Sequence, residues 1–153
     1  MIEVEAFLVM ERVVVCTRRE LPIRSRSVRE LYDHVGWRRP GGEDEIAAVL
    51  EAGPAVGAWD GDRLVGFARA LSDGHFAAYV EDVMVHEGYR GGGLGDRIMA
   101  RLLREIGGVG QVSLFCAPKV TRFYEGHGFR TAPEHVIMHR GEMEARATDG
   151  LAP

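Results

Sequence analysis

Hydrophobic and polar positions follow two periods along this chain, and the changes of period divide it into elements. The run "FLVMERVVVCT" (7–17) is rich in β-branched residues and predicts a first strand. Ser27 followed by Glu30 in "SVREL" has the spacing of a capping box, predicting a helix through Leu31, Tyr32 and Val35 that stops at Gly36. "RRPGGED" reads as a loop. "EIAAVLEAG" places Ile46, Val49 and Leu50 on one helical face, with Gly53 as its stop. In "AVGAWDGDRLVGFARAL" two strand-like runs flank Asp60-Gly61, a hairpin signal. Another strand is expected over 76–85, "FAAYVEDVMV". Leu94, Ile98, Met99, Leu102, Leu103 and Ile106 then recur at helical spacing, with Arg97, Arg101, Arg104 and Glu105 mostly on the other face. "QVSLFCA" has the look of a buried strand, "KVTRFYEGHGF" of a short helix ending in a glycine turn, and "EHVIMHR" of a last strand.

The predicted order is β, α, α, β, β, β, α, β, α, β. Antiparallel hairpins with one strand-loop-helix-strand crossover define an α/β (α+β) class: a mixed, largely antiparallel central sheet flanked by helices. The pattern describes one domain over 1–140. The tail 141–153, "GEMEARATDGLAP", has no apolar periodicity and is expected to be mobile.

Composition narrows the function. A chain of 153 residues with 46% hydrophobic and 27% charged residues suits one globular domain with a real core. Its net charge of −4 provides no global basic field, so nucleic acid is not an expected partner. Glu3, Glu5 and Glu11 interrupt the apolar start, and no run is long enough to span a bilayer, so neither an export signal nor a membrane is expected. Cys16 and Cys116 lack metal or redox spacing and read as buried thiols of a cytoplasmic protein. His135 and His139 stand without carboxylate or cysteine at ligand spacing, so no metal is expected.

The chemistry concentrates in "VHEGYRGGGLGDRIMARLL" (85–103). Three consecutive glycines and a fourth two residues later cost backbone entropy, which a plain connector has no reason to bear. A strand entering a glycine loop and then a helix leaves unpaired N–H groups at the positive end of the helix dipole, where a phosphate or pyrophosphate fits. No Lys-Ser/Thr follows as in a Walker loop, and Asp96 stands where G-x-G-x-x-G needs its third glycine.

The stretch Arg90-Gly91-Gly92-Gly93-Leu94-Gly95 resembles the pyrophosphate loop R/Q-x-x-G-x-G/A of the GNAT superfamily of acyl-CoA-dependent N-acetyltransferases. Val83-Met84-Val85 resembles that family's fourth strand, "DRLVGFARAL" its third, and Arg122-Phe123-Tyr124-Glu125-Gly126-His127-Gly128-Phe129 its F-Y-x-x-x-G-F segment. The resemblance runs from about Leu31 to Arg140 in the family's order. It implies the acyl-CoA N-acyltransferase fold and an acetyl-CoA co-substrate. Val83, Met84 and Val85 would meet the acetyl group and pantetheine arm. The amides of Gly91, Gly92, Gly93, Leu94, Gly95 and Asp96 would cradle the pyrophosphate, with Arg90 and Leu94 shaping the loop. Phe123 and Tyr124 would lie beside the cofactor, the Tyr124 hydroxyl protonating the leaving thiolate. One departure stands out: many members carry Asn seven residues before the tyrosine, and here that residue is Ala117, which removes one contact to the pantetheine arm.

For the base, Glu81 and Asp82 are the candidates, and a relay through ordered water is a third route. Strand alternation puts only Glu81 on the face of Val83 and Val85, so Glu81 is favoured. "VEDVMV" also resembles the matching strand of glucosamine-phosphate N-acetyltransferases. Trp37, Arg38 and Arg39 either line the acceptor pocket or cover apolar surface after the first helix. The expected function is acetyl transfer to a primary amine of a small molecule. The alternatives are a protein or peptide N-acetyltransferase and a non-catalytic acetyl-CoA sensor. A homodimer through "HVIMH" is a further possibility.

Overall fold

The computed structural model describes residues 12–37 and 41–141. In chain order the elements are β1 (Val14–Thr17), α1 (Ser25–His34), α2 (Glu43–Glu51), β2 (Ala55–Asp60), β3 (Arg63–Ser72), β4 (Ala77–Val85), α3 (Leu94–Ile106), β5 (Gln111–Leu114) and α4 (Thr121–Glu125), with single 3-10 turns at Glu87–Tyr89 and Pro118–Val120. The five strands form one sheet in sequence order. β1 to β4 pair antiparallel, and β5 joins β4 in parallel through the α3 crossover. This is the mixed, largely antiparallel sheet that the pattern predicts.

Alternation along β2 and β3 sorts side chains to two cores. Val56, Ala58, Val65 and Ala68 face α3, where they bury Leu94, Ile98, Met99 and Leu102. Ala55, Trp59, Leu64 and Phe67 face α1 and α2, covered by Val28, Leu31, Tyr32, Ile46 and Leu50. Gly66 on β3 lets α3 come close, since a Cβ there would stand 2.5 Å from Ile98 Cδ1. The β2–β3 hairpin turns through Gly61 and Asp62, with Asp60 opposite Arg63 and Gly61 at φ +58°.

Three expectations change. α1 starts at Ser25 behind an extended Arg24, two residues before the predicted cap, and Glu30 pairs with Arg26 at 3.2 Å instead of closing a capping box. The reciprocal bond occurs at α2, where the Gly42 N–H donates to Glu45 Oε2 at 2.6 Å. The predicted last strand over 134–140 does not form. His135 N–H closes a turn onto the Ala132 carbonyl, and Val136, Ile137 and Met138 are exposed. A strand exists only through its ladder, and no described strand pairs with this segment, whatever its propensity. The two cysteines, expected to be buried, are only half-buried. The predicted strand residues 7–11, the pair Arg38-Arg39, and the tail beyond 141 lie outside the described residues. No described helix is long and apolar enough to cross a membrane.

Candidate active site

The β3–β4 ladder slips where the sequence places its acidic pair. Phe67 is opposite Met84 and Arg69 opposite Glu81, so β4 advances three residues while β3 advances two. Asp82 takes up the extra residue at φ +56°, the sole described non-glycine residue with positive φ, which makes this a β-bulge. The bulge breaks the alternation that favoured Glu81. Both carboxylates reach one guanidinium on β3: Arg69 NH2 donates to Glu81 Oε2 at 2.8 Å, and Arg69 Nε donates to Asp82 Oδ2. All three side chains are almost wholly buried. Arg69 was not among the sequence candidates; its signal was a lone cation inside the apolar run "LVGFARAL".

β4 then leaves β5. Their parallel ladder runs from Ala77–Gln111 to Val80–Leu114 and no further, so Glu81 to Val85 are not laddered to β5. The stretch of β4 beyond the ladder, which borders a wedge without β5 partners, holds Val83, Met84 and Val85, all buried. α4 adds Tyr124, 4% exposed, to the same buried cluster as Val83 and Val85, packed edge-on by Phe123 at 4.9 Å and Phe129 at 6.0 Å between centroids. Burial, with smaller contributions from Cys116 and Tyr79, pushes the Tyr124 phenol well above its ordinary value, so its proton is retained. Burial also raises the Cys116 thiol.

At the end of β4 the glycine loop turns into α3. Gly91 and Gly93 have φ of +76° and +78°, and a Cβ at either would point into open space. Gly93 caps α3 with no side-chain bond to the first-turn amides, so the N–H groups of the helix start are not closed by a cap. Leu94 is fully buried and fixes the helix start, while Arg90 folds back to donate from Nε to the Val85 carbonyl at 2.9 Å. These residues fit a pyrophosphate: open space, first-turn amides and the positive end of a 13-residue helix converge on one spot. Asp96 in that first turn meets His127 Nε2 at 2.9 Å, and the His127 ring lies 5.1 Å from Phe123, tying the loop to α4.

The second opening is a cleft between α1, α2 and β3, with a cavity volume of about 160 Å³ and open to solvent, with Arg69 in its wall. Trp37 stacks on Tyr32, which also lines this cleft, at 6.4 Å between centroids. The predicted loop and tyrosine segment are thus joined through Asp96 and His127, whereas Glu81 and Asp82 reach the second cleft through Arg69.

The model of the Acetyltransferase (GNAT) domain matches residues 51–131, which holds the bulge, the loop and Tyr124. The chain belongs to the GNAT family. Among GNAT relatives, it is 34% identical over 120 residues to an uncharacterized N-acetyltransferase, ycf52, of Gracilaria tenuistipitata var. liui, covering 74% of this chain and 66% of that one. It is 35% identical over 124 residues to the histone acetyltransferase TAP1 of Glycine max, covering 71% of this chain and 53% of that one. The chain therefore spans between about half and two thirds of the length of these curated relatives. A solved structure from Deinococcus radiodurans R1, assigned to the acetyltransferases, superposes with a TM-score of 0.69 at 28% identity, covering 93% of this chain and 95% of that one.

No described group of histidines, cysteines or carboxylates is arranged to hold a metal ion. His135 and His139 are exposed, His139 resting its ring 5.8 Å from Phe115.

Proposed function

We propose that the chain transfers the acetyl group of acetyl-CoA to a primary amine of a small molecule. The observation that carries this reading is that the uncapped α3 start is tied to the segment bearing the protonated Tyr124 by Asp96 and His127, with Tyr124 in one buried cluster with Val83 and Val85 of β4. The pyrophosphate lies on the amides of Gly91 to Asp96, and the pantetheine arm runs along Val83 to Val85. The thioester carbonyl takes hydrogen bonds from β4 backbone N–H groups, which grow stronger as its oxygen becomes negative.

The neutral amine nitrogen attacks the carbonyl carbon, forming C–N. As C–S breaks, the thiolate takes the Tyr124 proton, and the proton that the nitrogen sheds on becoming an amide returns through ordered water to the phenolate. The proton of the incoming ammonium passes through ordered water to the carboxylate pair, with Glu81 ahead of Asp82 because Asp82 is the more deeply enclosed. Both carboxylates are already engaged by Arg69, which favours the relay over direct abstraction.

A protein acceptor is the second reading, and the likeness to TAP1 favours it. Calorimetric titration with acetyl-CoA, followed by acetylation of an amine panel against lysine and N-terminal peptides, tests both. Binding with amine acetylation supports the proposal; acetylation of peptides alone replaces it with the second reading. Binding without any transfer leaves a sensor.

A further inference from the structure

The walls of the second cleft specify more than its position. They come from Val28 and Tyr32 on α1, Ile46, Val49 and Leu50 on α2, and Phe67 on β3. Two charged side chains complete the lining, Glu45 and Arg69, and both are engaged within the protein. Glu45 Oε2 accepts the Gly42 N–H and thereby closes the start of α2. Arg69 spends its guanidinium on Glu81 and Asp82.

We propose that this cleft holds the body of the acceptor, and that the acceptor is a primary amine whose remainder is an uncharged apolar group of about ring size. The proposal rests on the small-amine reading above and names its substrate class. Three features decide it. Apolar walls reward an aromatic or branched aliphatic body by removing it from water. A carboxylate, as on an amino acid, finds the wall's one guanidinium already held by two carboxylates, so it is desolvated without a partner. The hydroxyls of an amino sugar lose water in the same way, with five apolar side chains and the ring of Tyr32 around them. The amine end points toward Arg69, because that side chain carries the cleft wall to Glu81 and Asp82, the carboxylates at the β4 bulge that take the ammonium proton.

The experiment compares kcat/KM for 2-phenylethylamine and 3-methylbutylamine with phenylalanine and leucine, which add a carboxylate to similar bodies, and with glucosamine. The two plain amines should exceed the other three by roughly tenfold or more. Val49→Arg, at an exposed position on the cleft wall, should raise KM for 2-phenylethylamine by roughly tenfold. KM for acetyl-CoA and the melting midpoint should stay in place. Leucine or glucosamine matching the plain amines, or an unchanged amine KM in the variant, overturns the substrate class while the small-amine reading stands. Transfer to lysine peptides with none to any free amine overturns both.

Discussion

Arg69 on β3 and Asp82 on β4 form a buried ion pair at the point where the ladder between their strands slips by one residue. Asp82 is fully enclosed on its side-chain atoms and sits at φ +56°, so the pair and the bulge hold each other in place. Glu81 joins the same guanidinium, and the sheet thereby keeps two adjacent carboxylates on one side of a strand that should separate them.

Removing that guanidinium leaves two buried carboxylates facing each other. Arg69→Ala should lower folding stability by about 3–5 kcal/mol, the usual consequence of stripping one partner from a buried pair. Urea denaturation measures it. Arg69→Met, which keeps the bulk without the charge, should lose about as much. Stability retained in Arg69→Met would mean that packing, rather than charge, is what Arg69 supplies.

Tyr124 is expected to act through its hydroxyl alone. Tyr124→Phe should reduce kcat by about 100-fold, at the lower end of general-acid contributions, while calorimetric affinity for acetyl-CoA stays within about twofold. Because burial holds the phenol proton, the parent enzyme should show no loss of rate from phenol ionisation as the pH approaches about 10. Equal losses of affinity and rate would make Tyr124 a packing residue of the wedge.

The glycine loop depends on open space as much as on conformation. Gly93→Trp forces a side chain into φ +78° and fills the region in front of the α3 amides. Acetyl-CoA affinity should fall roughly tenfold or more, read by titration calorimetry. Unchanged affinity would place the pyrophosphate elsewhere.

His86 makes stability depend on pH. Its ring, 8% exposed, stacks on His34 with centroids 3.5 Å apart. Its Nδ1 accepts the Gly88 N–H at 3.1 Å, and its Nε2 faces the Arg63 guanidinium. Burial first, then His34 and Arg63, lower its pKa in the fold. With the folded value below the unfolded one, the unfolded chain binds the extra proton, so this contribution is present above about pH 6.5 and is lost as pH falls below it. His86→Asn should flatten that part of a melting-temperature profile between pH 7.5 and 5. A profile of unchanged slope would remove His86 as its source.

What the sequence determined alone is local. The helical spacing of Leu94 to Ile106 survives in α3, the Asp60-Gly61 signal in the β2–β3 hairpin, and the glycines in a loop with two positive φ values, because each depends on neighbours within a few residues. Family likeness in Arg90 to Gly95 and in Phe123 to Phe129 picked out two segments that the fold joins through Asp96 and His127. Tertiary structure decided what depends on distant partners. The bulge at Asp82 needs a β3 register that no stretch of β4 encodes, and with it strand alternation ceased to choose between Glu81 and Asp82. The role of Arg69 appears only when two strands meet, since a single cation in an apolar run does not reveal its counter-ions. The segment Val136 to Met138 shows the converse: its composition is that of a strand, yet hydrogen bonds to a neighbouring chain make a strand, and the described fold supplies none.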